Sequence, residues 1–472
     1  MQKLATLFTT LPIKWYLALI TVVATGLRLI SITKASIWHD EGYTMMLIQH
    51  GPMDIIARTA RDFHPPLYYL ISHWWTLLFG NSELAIRSLS LLCGVGVVVL
   101  VYFIVKRLRF AEVTARLAAL LTAFGPFLVR YSEEARMYGM AALLVCAATL
   151  ALLIALDERT KPKKQSQQLY WWVVYGILMA AALYTHYYVA FIVFVHIGYA
   201  WHSYGGFAKM VKAKEWWVGN LLAVGLFIPW IPAVIAQFTR VQGGYWIPPV
   251  TAETIPNTFM QFAVFSGDLL PSSIEMLLTV ALACYVTVVL LRTTKAKRPQ
   301  LWVVIAWMMT PLLIALLVSL KQPVYYDRYF AYSATAFYVL IAILITNVRS
   351  QTWIKASLVA ALLLMFSAGI GSVAQQAGHQ MSTIGNYVSS HYQTDDVIVS
   401  GELYTYFDFS YYNTTGQPVH LLSKDRLPGY GESSLIYDIQ DEIVAPSLES
   451  LNDASRVWVV GKTGDHDYYT DL

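Results

Sequence analysis

The stretch WYLALITVVATGLRLISI, residues 15–32, decides the fold class because its only charged side chain belongs to Arg28. A second apolar run occupies residues 301–320. A helix needs about twenty residues to cross the ~30 Å hydrocarbon core of a bilayer. Of the 472 residues, 57% are hydrophobic and 13% are charged, whereas a soluble domain has roughly 25% charged residues. We therefore predict an α-helical polytopic membrane protein.

The same pattern along the chain predicts eleven transmembrane helices. They fall at residues 15–35, 84–105, 112–130, 136–156, 170–186, 188–204, 216–236, 274–291, 301–320, 330–347 and 352–372. The first run has no small-residue cleavage site after it, so we expect a retained span and not a removable signal peptide. The three cysteines lie inside apolar runs, and we expect them to be packing residues.

Basic residues gather in every second loop between these spans, which predicts the topology. The positive-inside rule places such loops in the cytoplasm. The N-terminus is then cytoplasmic, whereas two long loops, 36–83 and 237–273, and the segment after residue 372 lie outside. The four basic groups are Lys106, Arg107 and Arg109; Arg159, Lys161, Lys163 and Lys164; Lys209, Lys212 and Lys214; and Arg292, Lys295, Lys297 and Arg298.

The last hundred residues are more polar than the rest of the chain. Short strand-like apolar runs occur at 397–400, 419–422 and 457–460, with an aromatic helical pattern at 403–412. Alternation of strands and helices is typical of α/β domains. We therefore predict a transmembrane catalytic domain at 1–372 and a small extracytoplasmic α/β domain at 373–472.

Ionisable residues that could support catalysis all fall on the predicted outer side. Each has an ordinary explanation, such as a solvated helix end, a packed loop histidine, a mutual ion pair or a snorkelling arginine. Their coincidence on one face favours a shared site. Carboxylates combined with guanidiniums suit an alcohol or amine nucleophile and a phosphate leaving group. These residues are Asp40, Glu41, His64, Glu134, Arg136, His186 and Arg328.

At these residues the chain resembles the polyprenyl-phosphate-dependent glycosyltransferases of the membrane GT-C class. That class includes protein O-mannosyltransferases and the aminoarabinose transferases that modify lipid A. The resemblance covers roughly residues 10–350. It is carried by Asp40-Glu41, His64-Pro65-Pro66-Leu67-Tyr68, Arg87, Glu134-Ala135-Arg136-Met137-Tyr138, His186-Tyr187 and Arg328-Tyr329, in this order.

The resemblance implies an inverting transfer of a sugar from a polyprenyl-phosphate donor to an envelope acceptor, which is a glycan, a lipid or a protein. It implies that Asp40 is the general base and that Glu41 supports it. Arg328, Arg136 and His64 are expected to contact the donor phosphate. Further substrate contacts are expected from Glu134, His186, Tyr187, Tyr68 and Arg87.

Two departures from relatives limit this transfer of roles. The aminoarabinose transferases tend to carry a lysine before Pro-Pro, where this chain has His64. The Trp-Trp-Asp motif of oligosaccharyltransferases does not occur in the sequence, which argues against en bloc transfer to asparagine. No cofactor is required by the pattern, but Asp40, Glu41 and His64 could also bind a divalent metal ion, so the metal question stays open.

Two other classes of protein are alternatives to the enzyme. A transporter or lipid flippase usually holds its charges near the bilayer midplane, at broken helices in paired halves. An envelope scaffold does not need eleven spans. The enzyme is therefore the preferred hypothesis, with a lipid-linked donor, an envelope acceptor and the bilayer as partners and with no nucleic acid. We expect it in the plasma membrane of a prokaryote.

Overall fold

A computed structural model describes residues 10–159, 165–242, 247–265, 271–293, 298–348, 350–376, 380–451 and 454–461. The basic residues Lys161, Lys163, Lys164, Lys295 and Lys297 lie outside the described residues, as do parts of the predicted loop 237–273. The topology that those residues support therefore stays a prediction.

The described chain is mainly helical. Along the membrane part its helices are α1 (Ile13–Leu29), α2 (His39–Leu47), α3 (Pro52–Arg61), α4 (Leu67–Phe79), α5 (Glu83–Arg107), α6 (Glu112–Phe124), α7 (Pro126–Arg130), α8 (Tyr138–Glu158), α9 (Gln165–Leu183), α10 (Ile192–Tyr204), α11 (Phe207–Val211), α12 (Lys214–Phe227), α13 (Ile231–Gln242), α14 (Thr254–Val264), α15 (Ser272–Arg292), α16 (Arg298–Ser319), α17 (Ala331–Asn347) and α18 (Thr352–Gln376). Then follow α19 (Gln380–His391), α20 (Leu403–Tyr412) and α21 (Gln440–Ile443). Every predicted span coincides with at least one of these helices.

Within the described residues, seven helical stretches are long and apolar enough to cross a membrane. They are Glu83–Arg107, Tyr138–Glu158, Lys214–Arg240, Ser272–Arg292, Arg298–Ser319, Asp327–Asn347 and Thr352–His391. The predicted membrane class is confirmed. The other predicted spans correspond to α1, α6, α9 and α10, with 17, 13, 19 and 13 residues. The count of eleven therefore stays a prediction.

The chain divides into two compact units, each made of separate segments. The larger unit comprises Met1–Ile30, Ser88–Glu133 and Met137–Ala374, and the smaller unit comprises Ser31–Arg87, Glu134–Arg136 and Gln375–Leu472. The predicted outer loop 36–83 and most of the predicted domain 373–472 thus belong to one unit. The predicted boundary at residue 372 stays a prediction.

Helix α17 lies at the centre of the larger unit, and almost all of its side chains are buried. It packs against α6, α8 and α16. The hydroxyl of Tyr338 donates to the backbone oxygen of Phe262 at 2.6 Å. The hydroxyl of Tyr332 donates to the backbone oxygen of Tyr188 at 2.6 Å. These bonds satisfy buried hydroxyls, which would otherwise be costly in an apolar interior.

The smaller unit contains a four-stranded parallel sheet in the order β3-β2-β1-β4. Its strands are β1 (Asp396–Ser400), β2 (Val419–Leu422), β3 (Val444–Ala445) and β4 (Arg456–Val460). Helix α20 connects β1 to β2, because neighbouring parallel strands require a crossover. The predicted α/β domain and its helix at 403–412 are confirmed. The two-residue strand β3 and the helices α19 and α21 were not predicted.

Helices α2 and α20 pack very closely inside the smaller unit. A Cβ atom on Gly42 would lie 2.6 Å from the backbone oxygen of Phe407. The Tyr412 hydroxyl accepts from the backbone N–H of Ile37 at 2.7 Å and donates to Glu83, and the Tyr411 hydroxyl donates to the backbone oxygen of Asn81. The C-terminal part of the chain thereby fixes the segment that carries Asp40 and Glu41.

Helix α3 explains two of the basic residues on the predicted outer side. Arg58 donates to a carboxylate oxygen of Asp438 at 3.1 Å and to the backbone oxygen of Leu435 at 2.8 Å. Arg61 lies 3.9 Å from the other carboxylate oxygen of Asp438. These arginines hold the amphipathic helix against the C-terminal segment of the same unit.

Candidate active site

The first turn of α2 carries the predicted acidic pair. Trp38 is the N-cap residue, and its backbone oxygen accepts from the N–H of Glu41 at 2.8 Å. Carboxylates are favoured at a helix N-terminus because the helix dipole is positive there. Neighbouring residues on a helix point about 100° apart. Asp40 and Glu41 therefore face different surroundings, although they are adjacent in sequence.

Glu41 is completely buried and forms a bidentate ion pair with Arg87. Arg87 Nε donates to Oε1 at 2.8 Å, and Nη2 donates to Oε2 at 2.6 Å. The backbone N–H of Ala135 also donates to Oε1 at 2.8 Å. Glu41 therefore joins α2, the start of α5 and the 134–136 turn.

Arg87 uses the remaining N–H groups of its guanidinium on the connection between α1 and α2. It donates to the backbone oxygens of Ile32 at 2.7 Å, Ala35 at 2.9 Å and Ser36 at 3.2 Å. Only 2% of Arg87 is exposed. A buried ion pair needs this kind of full hydrogen bonding to offset its desolvation. The pair fixes the backbone that leads to Asp40.

Asp40 lies near two basic side chains of the same unit. Its Oδ1 lies 3.8 Å from Nη2 of Arg136 and 3.9 Å from Nε2 of His39. Both distances exceed that of a charge-assisted hydrogen bond, which is about 2.7–2.9 Å. The side chain of Asp40 is 5% exposed. The structure therefore places Asp40 beside two basic side chains, those of Arg136 and His39.

Arg136 is fixed by groups from α2 and α4. Its Nη1 donates to the backbone oxygen of Asp40 at 3.3 Å, to Oγ1 of Thr44 at 3.4 Å and to the Tyr69 hydroxyl at 3.1 Å. The guanidinium also lies 6.0 Å from the centre of the Tyr69 ring. Arg136 thus holds a positive charge beside Asp40.

Asp62 is a buried carboxylate that interacts electrostatically with Arg136 and Asp40. It was not among the predicted site residues. It follows α3 and is 2% exposed. Burial raises its pKa to about 6, while the backbone N–H of Phe63, the Arg136 charge and the Tyr43 hydroxyl act in the opposite direction. The charge of Asp40 raises it further. Its position just before His64-Pro65-Pro66, in the loop of the acidic pair, was the available signal.

Three other predicted residues also belong to the smaller unit. Tyr68 is completely buried on α4, and its ring centre lies 5.9 Å from that of Tyr69. Glu134 is 1% exposed, and its backbone oxygen accepts from the N–H of Arg136 at 2.7 Å. His64 is half-buried in the connection between α3 and α4. The structure thus places these three residues in the same unit as Asp40 and Glu41.

Arg328, His186 and Tyr187 belong to the larger unit. The Arg328 guanidinium lies 4.7 Å from the ring centre of Tyr326 and 5.7 Å from that of Tyr138, within the range of cation–π attraction. The His186 ring lies 4.9 Å from that of Tyr329. These residues form an aromatic group around one guanidinium.

Tyr187 is placed in a hydrogen-bonded chain on the same unit. Its hydroxyl donates to Oε1 of Gln237 at 2.6 Å and accepts from Nε1 of Trp230 at 2.7 Å. The aromatic partners Tyr138, Tyr326 and Trp230 were not among the predicted site residues. Tyr138 and Trp230 contact residues that are distant in sequence, so sequence spacing could not predict them, whereas Tyr326 lies only two residues before Arg328.

Comparison with known proteins shows which fold this chain has. Residues 63–232 match the family model described as dolichyl-phosphate-mannose-protein mannosyltransferase. The structure is similar to that of ArnT from Cupriavidus metallidurans bound to undecaprenyl phosphate, with a TM-score of 0.64 and 12% identity over 93% of this chain and 91% of that one. The chain has the GT-C fold of the ArnT structure. The predicted resemblance is confirmed.

Two further structures show the same GT-C fold. The apo state of ArnT from the same organism has a TM-score of 0.62 and 12% identity, covering 93% of this chain and 90% of that one. An oligosaccharyltransferase from Archaeoglobus fulgidus, tethered to an acceptor peptide, has a TM-score of 0.54 and 13% identity. It covers 88% of this chain and 64% of that one. The search of curated sequences found no significant match.

The predicted metal site of this GT-C chain can be compared with the geometry of Glu41. Both of its oxygens accept from Arg87, and one also accepts from Ala135. Glu41 would have to give up such a bond to bind a metal ion. Within the described ranges, no group of three or more histidine, cysteine, aspartate or glutamate residues is arranged to hold one. A metal bound by Glu41 and His64 stays a prediction.

Proposed function

We propose that this GT-C glycosyltransferase moves a sugar from a polyprenyl-phosphate donor to an envelope acceptor on the outer face of the membrane, with inversion at the anomeric carbon. Asp40 is the general base of this proposal. The observation that carries it is the position of Asp40: it follows a backbone segment fixed by the Glu41–Arg87 pair, and its carboxylate lies 3.8 Å from the buried guanidinium of Arg136.

The donor class is supported by the related proteins. The ArnT structure contains undecaprenyl phosphate, and the matching family model is named for dolichyl-phosphate-mannose. Both carriers are polyprenyl phosphates, which a membrane-embedded enzyme can meet at headgroup depth. We extend that donor class to this chain.

The proposed reaction is a single displacement. Asp40 removes the proton from an acceptor hydroxyl, and the hydroxyl oxygen forms a bond to the anomeric carbon of the donor. The bond from that carbon to the phosphate oxygen breaks, and the lipid phosphate leaves with the electron pair. A base can act on a proton when its oxygen comes within about 2.6–3.2 Å of the acceptor oxygen.

The other site residues receive roles that fit their contacts. Glu41 and Arg87 position the backbone around Asp40. Arg136 positions Asp40 through its contacts with α2 and stays a proposed phosphate contact together with His64. Arg328 is the proposed main phosphate contact, because its charge lies among aromatic rings in the larger unit. Preorganised positive charge stabilises a phosphate leaving group.

Mass spectrometry of lipid-linked sugars from cells with and without the gene tests this function. Loss of the enzyme should cause a polyprenyl-phosphate sugar to accumulate, and the corresponding envelope glycan should disappear. Unchanged lipid-linked sugars and envelope glycans would contradict the proposal. Solute flux by purified protein in vesicles without any sugar-linked lipid would instead support the transporter alternative.

A further inference from the structure

Beside Asp40 the smaller unit presents an aromatic surface that the proposed reaction does not yet use. We call it the aromatic platform, and it consists of Trp38, His39 and Tyr404. The ring centres of Trp38 and His39 lie 4.6 Å apart, as do those of His39 and Tyr404. Tyr404 is 39% exposed, and the side chain of His39 is 29% exposed.

The platform is built by two helices that cannot move independently. Trp38 and His39 begin α2, whereas Tyr404 lies in the first turn of α20. The close approach of Gly42 to Phe407 fixes these helices against each other. The rings are therefore held in place before any ligand binds, which reduces the entropic cost of binding.

The platform is continuous with the proposed base. The His39 ring contacts that of Tyr404 at a tilt of 40°, and its Nε2 lies 3.9 Å from Oδ1 of Asp40. A molecule resting on Tyr404 and His39 would therefore reach Asp40 with a group on its edge. A pyranose ring has this shape, because its apolar C–H face packs on an aromatic ring while its hydroxyls point outward.

The charges around the platform distinguish an acceptor from the donor. Partial burial and the carboxylates of Glu432, Glu402 and Asp40 raise the pKa of Tyr404 above its usual value. Arg136, whose guanidinium lies 3.8 Å from Asp40, is only 2% exposed. Such a negative surface repels a phosphate, whereas carboxylates accept hydrogen bonds from sugar hydroxyls.

We propose that the aromatic platform binds a neutral carbohydrate acceptor by one pyranose face and directs one of its hydroxyls to Asp40. This rests on the proposed function, since the acceptor must meet the base. It also reduces the candidate acceptors, which were a glycan, a lipid or a protein. The group that binds the platform is a carbohydrate without phosphate groups. The lipid phosphate of the donor keeps the contacts proposed above, with Arg328, Arg136 and His64.

Saturation-transfer NMR on the full-length protein in nanodiscs, free of sugar detergents, tests the platform directly. The probes are methyl α-D-mannopyranoside, methyl α-D-glucopyranoside and methyl α-D-galactopyranoside, with mannose 6-phosphate as the charged comparison. Tyr404→Ala should lower the ring-proton signal of a bound pyranoside about three- to tenfold. Tyr404→Phe, which keeps the aromatic ring, should give the same pyranoside signal as the wild type. Tyr387→Ala is the matched control, because Tyr387 is an exposed tyrosine on α19.

The outcomes separate this proposal from the proposed function. Signals from at least one neutral pyranoside that depend on Tyr404, together with a weaker signal from mannose 6-phosphate, support the platform. No pyranoside signal, equal signals in Tyr404→Ala, or a stronger signal from the phosphate would overturn it. In Asp40→Asn the binding should persist while transfer stops. Binding that depends on Tyr404 together with normal transfer by Asp40→Asn would reject only the assigned base.

Discussion

The guanidinium of Arg87 donates two hydrogen bonds of 2.8 and 2.6 Å to the carboxylate of Glu41, which lies 46 positions earlier in the sequence. Both side chains are at most 2% exposed. Removing one member of such a pair leaves an uncompensated buried charge. The pair therefore controls the stability of the segment that carries Asp40.

We expect Arg87→Met to lower the free energy of unfolding by about 3–5 kcal/mol, because it leaves Glu41 buried without its partner. Thermal unfolding followed by intrinsic fluorescence measures this loss. Arg61→Met is the control, since the partly exposed Arg61 lies 3.9 Å from Asp438 and a surface pair contributes about 0–1 kcal/mol. Equal unfolding temperatures for the two variants would show that the buried pair is not a stabilising element.

Gly42→Ala should destabilise the smaller unit. Alanine normally stabilises a helix by about 0.5–1 kcal/mol relative to glycine. Here the new Cβ would lie 2.6 Å from the backbone oxygen of Phe407, and overpacking costs about 1–3 kcal/mol. The clash outweighs the helix propensity, so both melting temperature and transfer activity should fall.

Gly51→Ala provides the comparison for this substitution. No heavy atom lies within 4 Å of a Cβ atom built on Gly51. Its effect on unfolding should stay below about 1 kcal/mol, the usual cost at an N-cap. If Gly42→Ala is as stable and active as Gly51→Ala, the packing of α2 against α20 does not fix the site.

Asp62 should make stability depend on pH. Its pKa is raised to about 6 in the folded protein, mainly by burial. The folded state therefore binds the proton more tightly than the unfolded state, and stability falls as pH rises from about 4 to 6. Above pH 6 the carboxylate is charged in both states, and a cost on the order of 2 to 3 kcal/mol persists.

Asp62→Asn removes this cost without changing the size of the side chain. We expect the variant to have a higher melting temperature than the wild type at pH 8. Near pH 4 the two melting temperatures should be similar. Melting curves of both proteins across this pH range measure the difference. A gain of the same size at pH 4 and pH 8 would rule out titration of Asp62 as its source.

Arg328→Gln should raise the KM for the lipid donor at least about tenfold and leave the KM for the acceptor nearly unchanged, since the proposed contact is with the phosphate. Steady-state kinetics in proteoliposomes, with each substrate varied in turn, separate the two. Arg292→Gln, which changes an exposed arginine of the same unit, should match the wild type. An effect of Arg328→Gln on the acceptor alone would make the phosphate assignment wrong.

Parts of the fold with a local sequence signal were predicted well. The strands at 396–400, 419–422 and 456–460 and the helix Leu403–Tyr412 match their predicted positions within one residue. Each is a short apolar run bounded by polar or turn-forming residues. Strand β3, Val444–Ala445, has two residues and is too short to show a pattern.

Parts of the site that depend on tertiary contacts could not be predicted in the same way. The sequence indicated Glu41 and Arg87 as candidates, but no periodicity shows that they pair. The N–H of Ala135 contributes through the backbone, which side-chain patterns do not reveal. Asp62 follows directly after α3, where a carboxylate resembles an ordinary helix end, and its burial becomes visible only in the folded chain.

The catalytic role of Asp40 is tested most directly by single-turnover transfer in proteoliposomes that contain a labelled polyprenyl-phosphate sugar and the acceptor. Asp40→Asn should lower the rate by about 10²- to 10⁴-fold, the usual contribution of a general base, while its melting temperature stays close to that of the wild type. Asp54→Asn, at an exposed carboxylate on α3, should react at the wild-type rate. A wild-type rate in correctly folded Asp40→Asn would contradict the assignment.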